Sequence, residues 1–82
     1  MEGERVVPQK ATSAAFRKKI GQILNSARMD RGLSSRELGR ELGVTHKVIL
    51  GYEHGRQMPS FATALRIMKF FNLAAKDLIN CL

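Results

Sequence analysis

Residues 33–53, LSSRELGRELGVTHKVILGYE, admit few folds. Leu38 and Leu42 are four apart and so share one helix face. Glu37 lies three residues after Ser34, the spacing of a capping box. In that motif the serine hydroxyl accepts from a backbone N–H of the first turn, and the glutamate reaches back to the serine N–H. Leu33, just before the cap, is placed to pack on Leu38 as a hydrophobic staple. Gly43 follows Leu42 and suits the left-handed residue that ends a helix. Val44 then turns inward, and Thr45 caps a second helix. In that helix Val48, Ile49 and Tyr52 form an apolar side, which leaves His46, Lys47, Leu50 and Gly51 outside. Gly55 stops it, and Pro59 reinforces the break. Gly39 costs about 1 kcal/mol relative to alanine inside a helix. Its presence predicts close approach of another helix.

A helix as short as 45–54 is unstable alone in water and has to be docked on its neighbours. Its outer face is then free for other work. Two short helices joined by such a corner form a helix-turn-helix, whose second helix enters the DNA major groove. The plain alternative is an ordinary core helix of a small bundle.

Around this unit, Ser13 is placed to cap a long first helix ending near Gly32. Phe16, Ile20, Leu24 and Ala27 step down its core side, with Arg17, Lys18 and Lys19 mostly on the wet side. Ser60 caps a fourth helix running to about Phe71. Phe61, Leu65, Met68 and Phe71 are expected on its core side, flanked by Ile67. Phe70 fits that side poorly. With Leu78, Ile79 and Leu82 of a last helix it forms an apolar patch, which either meets a second chain or covers the base of the monomer's own core. Asp77 sits near the start of that last helix, where the dipole favours an acid. Residues 1–12 include Pro8 and have no period. They read as a flexible basic arm whose Arg5 and Lys10 follow DNA, or as a tail without a role. Residues 13–82 are expected to be the folded domain.

One set of residues runs through most of this pattern: Ile20, Leu24, Arg28, Gly32-Leu33-Ser34, Leu38, Gly43-Val44-Thr45, Ile49, Glu53, Gly55, Pro59-Ser60, Leu65, Ile67 and Leu73. From about Ile20 to Leu78 the chain resembles the phage repressor and Cro-type (XRE-like) helix-turn-helix family. The resemblance implies an all-α, compact five-helix bundle of the lambda-repressor kind that binds double-stranded operator DNA as a homodimer. It also implies an ion pair between Arg28 and Glu53. The residue chemistry agrees, because a charge near the core needs a partner.

The chain departs from the family at Gly39, where alanine is usual, and at Gly51, where a base-reading side chain often stands. Base contacts are therefore expected from Thr45, His46, Lys47 and Leu50. Lysine suits guanine O6 and N7, and threonine offers a hydroxyl or a methyl. Phosphate contacts are expected from Ser35, Arg36, Lys47 and Arg56. With few long polar groups outside, much of the specificity is expected from DNA shape.

Composition fits this reading. The 82 residues allow one domain, and 14 basic against 7 acidic residues give a net charge of +7. Arg5, Lys10, Arg17, Lys18, Lys19 and Arg28 form a basic stretch without an acid, and Arg56, Arg66, Lys69 and Lys76 form another. A charge run alone is more simply a solvated surface, but beside a helix-turn-helix such a field suits a phosphate backbone. The one cysteine, Cys81, excludes an intramolecular disulfide and fits a reducing compartment. No run approaches the ~20 apolar residues of a membrane span, and the start lacks a signal peptide's apolar core. A cytoplasmic location is expected. His46 and His54 have no third ligand in reach, and no catalytic constellation or phosphate loop appears. Neither a metal, a cofactor nor an enzymatic activity is expected.

The function expected is transcriptional regulation, most simply repression, by sequence-specific DNA binding. Two competing readings stay open. One is an antitoxin, or another interaction module, that keeps this domain and binds a toxin or other protein. The other is a helical module without DNA binding, favoured only by Gly51.

Overall fold

The structure, a computed structural model, describes residues 14–79, with side chains as far as Asp77. The expected arm, the Ser13 cap, Cys81 and Leu82 lie outside the described residues, as do the side chains of Leu78 and Ile79. Five helices and no strand occur among the described residues: α1 Ala14–Asp30, α2 Ser35–Leu42, α3 His46–Glu53, α4 Phe61–Phe71 and α5 Ala75–Ile79. The fold is all-α, as the periodicities predict.

Each central helix begins with the residue chemistry that its start requires. Ser34 Oγ accepts from the Glu37 N–H at 3.0 Å, and Glu37 Oε1 accepts from the Ser34 N–H at 2.8 Å. The capping box thus satisfies two orphan donors of α2. Thr45 Oγ1 accepts from the Val48 N–H at the start of α3, and Ser60 Oγ accepts from the Thr63 N–H at the start of α4. Gly43 ends α2 at φ +76°, a conformation that costs a side-chain-bearing residue energy.

Leu24, Leu38, Leu42, Ile49, Tyr52, Ile67 and Phe71 form the core, with Leu33, Val44 and Val48 packed against it. Leu38, Leu42 and Ile49 are fully buried, and burial of each such side chain contributes about 1.5–3 kcal/mol. α3 packs on both α1 and α2, and α2 also meets α4. The α2–α3 corner is tight at Gly39: a Cβ there would lie 2.5 Å from the Val44 carbonyl oxygen. The approach expected at Gly39 is therefore of the turn and the start of α3.

The core face of α4 matches the expected one at Phe71 and is half-buried at Met68, but differs at Phe61 and Leu65. Thr63, Ile67 and Phe71, each four residues from the next, are buried. Phe61 is 81 % exposed and Leu65 47 %. The sequence FATALRIMKFF is apolar around most of its circumference, so two helical stripes compete, and size favours the wrong one. The small Thr63 goes inside because its hydroxyl is satisfied by Ser60 Oγ at 3.1 Å. Of the two roles expected for Phe70, its packing favours cover of the monomer's own core. It is partly buried against the core, edge-on to Phe71 with 4.9 Å between centroids. The Arg31 guanidinium sits 5.1 Å from both ring centroids. Most of its apolar surface is thus already used by its own chain, which weakens its expected part in a dimer patch.

Candidate nucleic-acid interface

The outer side of α3 is set by how its inner side is held. Val48, Ile49 and Tyr52 face the core. On the α1 side, a Cβ on Gly21 would run into the carbonyl oxygens of Tyr52 and Glu53. The two helix backbones therefore touch at the C-terminal end of α3. Arg17, expected mostly in water, is partly buried and donates from Nε to the Gly55 carbonyl at 3.0 Å.

The same end of α3 carries Glu53, whose side chain is 4 % exposed. Arg28, at 13 %, donates from Nε to Glu53 Oε2 at 2.6 Å and from Nη2 to Oε1 at 3.0 Å. Asn25 Nδ2 donates to Oε1 at 3.0 Å, and Arg28 Nη1 donates to the Leu33 carbonyl at 2.9 Å. One guanidinium therefore joins α1, the end of α3 and the residue before the α2 cap. Its hydrogen bonding to Glu53 pushes the Arg28 pKa up, against the opposing effect of burial. Asn25 was not anticipated from the sequence. It lies three residues before Arg28, on the same helix face.

The candidate contact residues fall into three groups. Lys47, Thr45, Arg36 and Arg56 are exposed. Thr45 spends its acceptor on the α3 cap and keeps its hydroxyl proton to donate. Ser35, His46 and Leu50 are half-buried but reach the surface. Gly51 lies on the expected outer side by helical spacing, but it is buried there. The Gln57 side chain lies across it: a Cβ on Gly51 would fall 2.5 Å from Gln57 Nε2 and 2.9 Å from its Cγ. Helical spacing cannot foresee this, since Gln57 belongs to the following loop. A glycine in the middle of a short helix is the only hint in the chain.

The first turn of α3 contains no acid, and the single acid of the helix, Glu53, is engaged by Arg28 and Asn25. The helix N-terminus thus adds its partial positive charge to that of Lys47. Two short helices cross at a glycine corner, and the second presents such an acid-free outer side. The sequence model of the helix-turn-helix family HTH_3 matches residues 24–78.

The chain belongs to the helix-turn-helix family.

Named proteins are similar to the chain in sequence or in fold. A protein of Thermococcus kodakarensis, whose name reads HTH-type transcriptional regulatory protein, is 36% identical over 62 residues, 76% of this chain and 20% of that protein. The ImmF control region 10 kDa protein of Bacillus phage phi105 is 32% identical over 56 residues, 68% of this chain and 62% of the phage protein. The chain thus spans less than two thirds of the length of either. The crystal structure of the clp gene regulator ClgR from Corynebacterium glutamicum has the same fold, with a TM-score of 0.71 at 24% identity, over 80% of this chain and 70% of that one. This helix-turn-helix chain has no helix, among the described residues, long and apolar enough to cross a membrane. No group of three metal-ligating side chains occurs among them either.

Proposed function

We propose that the chain is a transcriptional repressor that binds double-stranded DNA sequence-specifically, as a homodimer, with α3 in the major groove. The observation that carries this reading is the outer side of α3, where Lys47 is exposed and no acid is free, with Arg36 on α2 and Arg56 after α3 also exposed. The electrostatic field of a chain at net charge +7 draws it to the duplex. Ser35, Arg36 and Arg56 then hold phosphates and set the register. Thr45, His46, Lys47 and Leu50 meet base edges. The Arg28–Glu53 pair touches no DNA and fixes how α3 projects. Leu78, Ile79 and Leu82, with the part of Phe70 left uncovered, supply the dimer contact. Repression follows when the bound site overlaps a promoter. No metal, cofactor or catalytic step enters this mechanism, and it operates in the cytoplasm. The phage relative is named for a control region, which supports a regulatory role.

Selection from a random duplex pool tests the reading. Enrichment of one motif, bound far more tightly than a scrambled duplex, is the expected result. A pool that stays random, with equal affinity for every duplex, would remove the proposed function.

A further inference from the structure

Lys47, Leu50 and Gly51 lie on one side of α3, at spacings of three and four residues. Lysine serves the first turn, but glycine offers no side chain to the second. The space is not empty. The loop after α3 returns over it, and the Arg56 and Gln57 N–H groups both donate to the Gly51 carbonyl, at 2.9 and 3.3 Å. That contact pins the loop to the helix backbone. Gln57 then runs flat across Gly51, with Nε2, Cγ and Cδ at 2.5, 2.9 and 3.1 Å from where a Cβ would be. Only glycine at 51 leaves room for it. Residue 57 is nevertheless exposed as a whole, and its carboxamide makes no hydrogen bond among the described residues.

We propose that Gln57 reads a base in place of the side chain missing at Gly51. The proposal rests on the DNA-binding reading above and adds a specificity-determining residue to it. A carboxamide held against the outer side of the helix offers one donor and one acceptor side by side. That pair matches adenine N7 and N6–H in the major groove. At about 1.5 Å rise per residue, Gly51 lies about 6 Å beyond Lys47 along the helix. The adenine read by Gln57 should thus fall about two base pairs from the base read by Lys47, at about 3.4 Å per base pair. Gly51 is then part of the reading surface because it has no side chain.

The test uses the whole chain and a random duplex pool, selected with wild type, Gln57→Ala, Gly51→Ala, the double variant and Gln57→Glu. Gln57→Ala should lose the preference for one adenine, by roughly 5- to 150-fold, the range of one bidentate contact. Affinity for random duplex at low salt should be unchanged. Gly51→Ala should lose the same base preference, because its methyl displaces the carboxamide. Its folding is checked by thermal melting, alanine being the better helix former. The double variant should lose no more than either single one. Gln57→Glu should move the preference at that base pair towards cytosine, whose N4 donates to a carboxylate. Gln57→Ala with every base preference intact, or with all sequences weakened alike, would overturn the proposal. If wild type enriches no motif, the DNA-binding reading fails first and this one falls with it. Loss of preference in Lys47→Ala but not in Gln57→Ala removes this proposal alone.

Discussion

Lys47 and Arg56 are both exposed cations, yet their places in the fold assign them different work. Lys47 stands in the first turn of α3 and, in the proposed mode of binding, faces base edges. Arg56 follows the helix in a loop whose backbone is tied to Gly51, which suits a phosphate at the groove wall. Lys47→Ala should therefore erase discrimination between the preferred and a scrambled duplex, while Arg56→Ala should lower affinity for both by the same factor. Fluorescence anisotropy on the two duplexes separates these outcomes, and a uniform loss for Lys47→Ala would contradict its assignment. At this scale the sequence is informative where a residue sits on a helix, because a period of 3.6 orders the faces. The exposure of Lys47 and the caps Ser34, Thr45 and Ser60 are legible for that reason. Gln57 is not legible, because the direction of a loop side chain depends on backbone turns that no period encodes. The burial of Gly51 is hidden for the same reason.

Between elements, the Arg28–Glu53 pair does for α1 and α3 what the Gly39 corner does for α2 and α3. Removing Arg28 leaves the Glu53 carboxylate with the Asn25 hydrogen bond but no counter-charge, at a cost of about 3 kcal/mol. Arg28→Met should accordingly lower the melting temperature by 10 °C or more, at roughly 4–8 °C per kcal/mol for a domain of this size. An unchanged melt would show that the pair carries no weight. Glu37 makes a smaller and pH-dependent contribution. Its carboxyl lies below the ordinary glutamate range, chiefly because it accepts from the Ser34 backbone N–H and then from the Ser34 hydroxyl. A depressed folded pKa gives stability that is present above the unfolded value and lost as pH falls through the folded one. Relative to Glu37→Gln, which keeps the cap without the charge, wild type should thus lose melting temperature as pH falls below the unfolded glutamate value of about 4.3. Parallel curves for the two proteins would remove this assignment. Helix order and capping are readable from sequence because they are local. The face of α4 is not, since FATALRIMKFF can bury either of two stripes and only the finished core selects Thr63, Ile67 and Phe71.

For the whole molecule, the expected behaviour on DNA follows from charge and symmetry. If about six phosphates are neutralised, log affinity should fall with log salt at a slope near −5. A slope near zero on every duplex would argue against phosphate contact. A dimer on a two-fold axis should select an inverted repeat with half-sites about 34 Å apart. Recovery of a lone half-site, with a monomer in sedimentation of the complex, would exclude it. The backbone contact at Gly21 bears on how such a chain tolerates change. Every substitution there must wedge apart two main chains, so a saturation library should return glycine almost alone at that codon. Read without coordinates, such intolerance would pass for a ligand contact, although the position lies behind the reading helix and its only duty is to let α3 sit down.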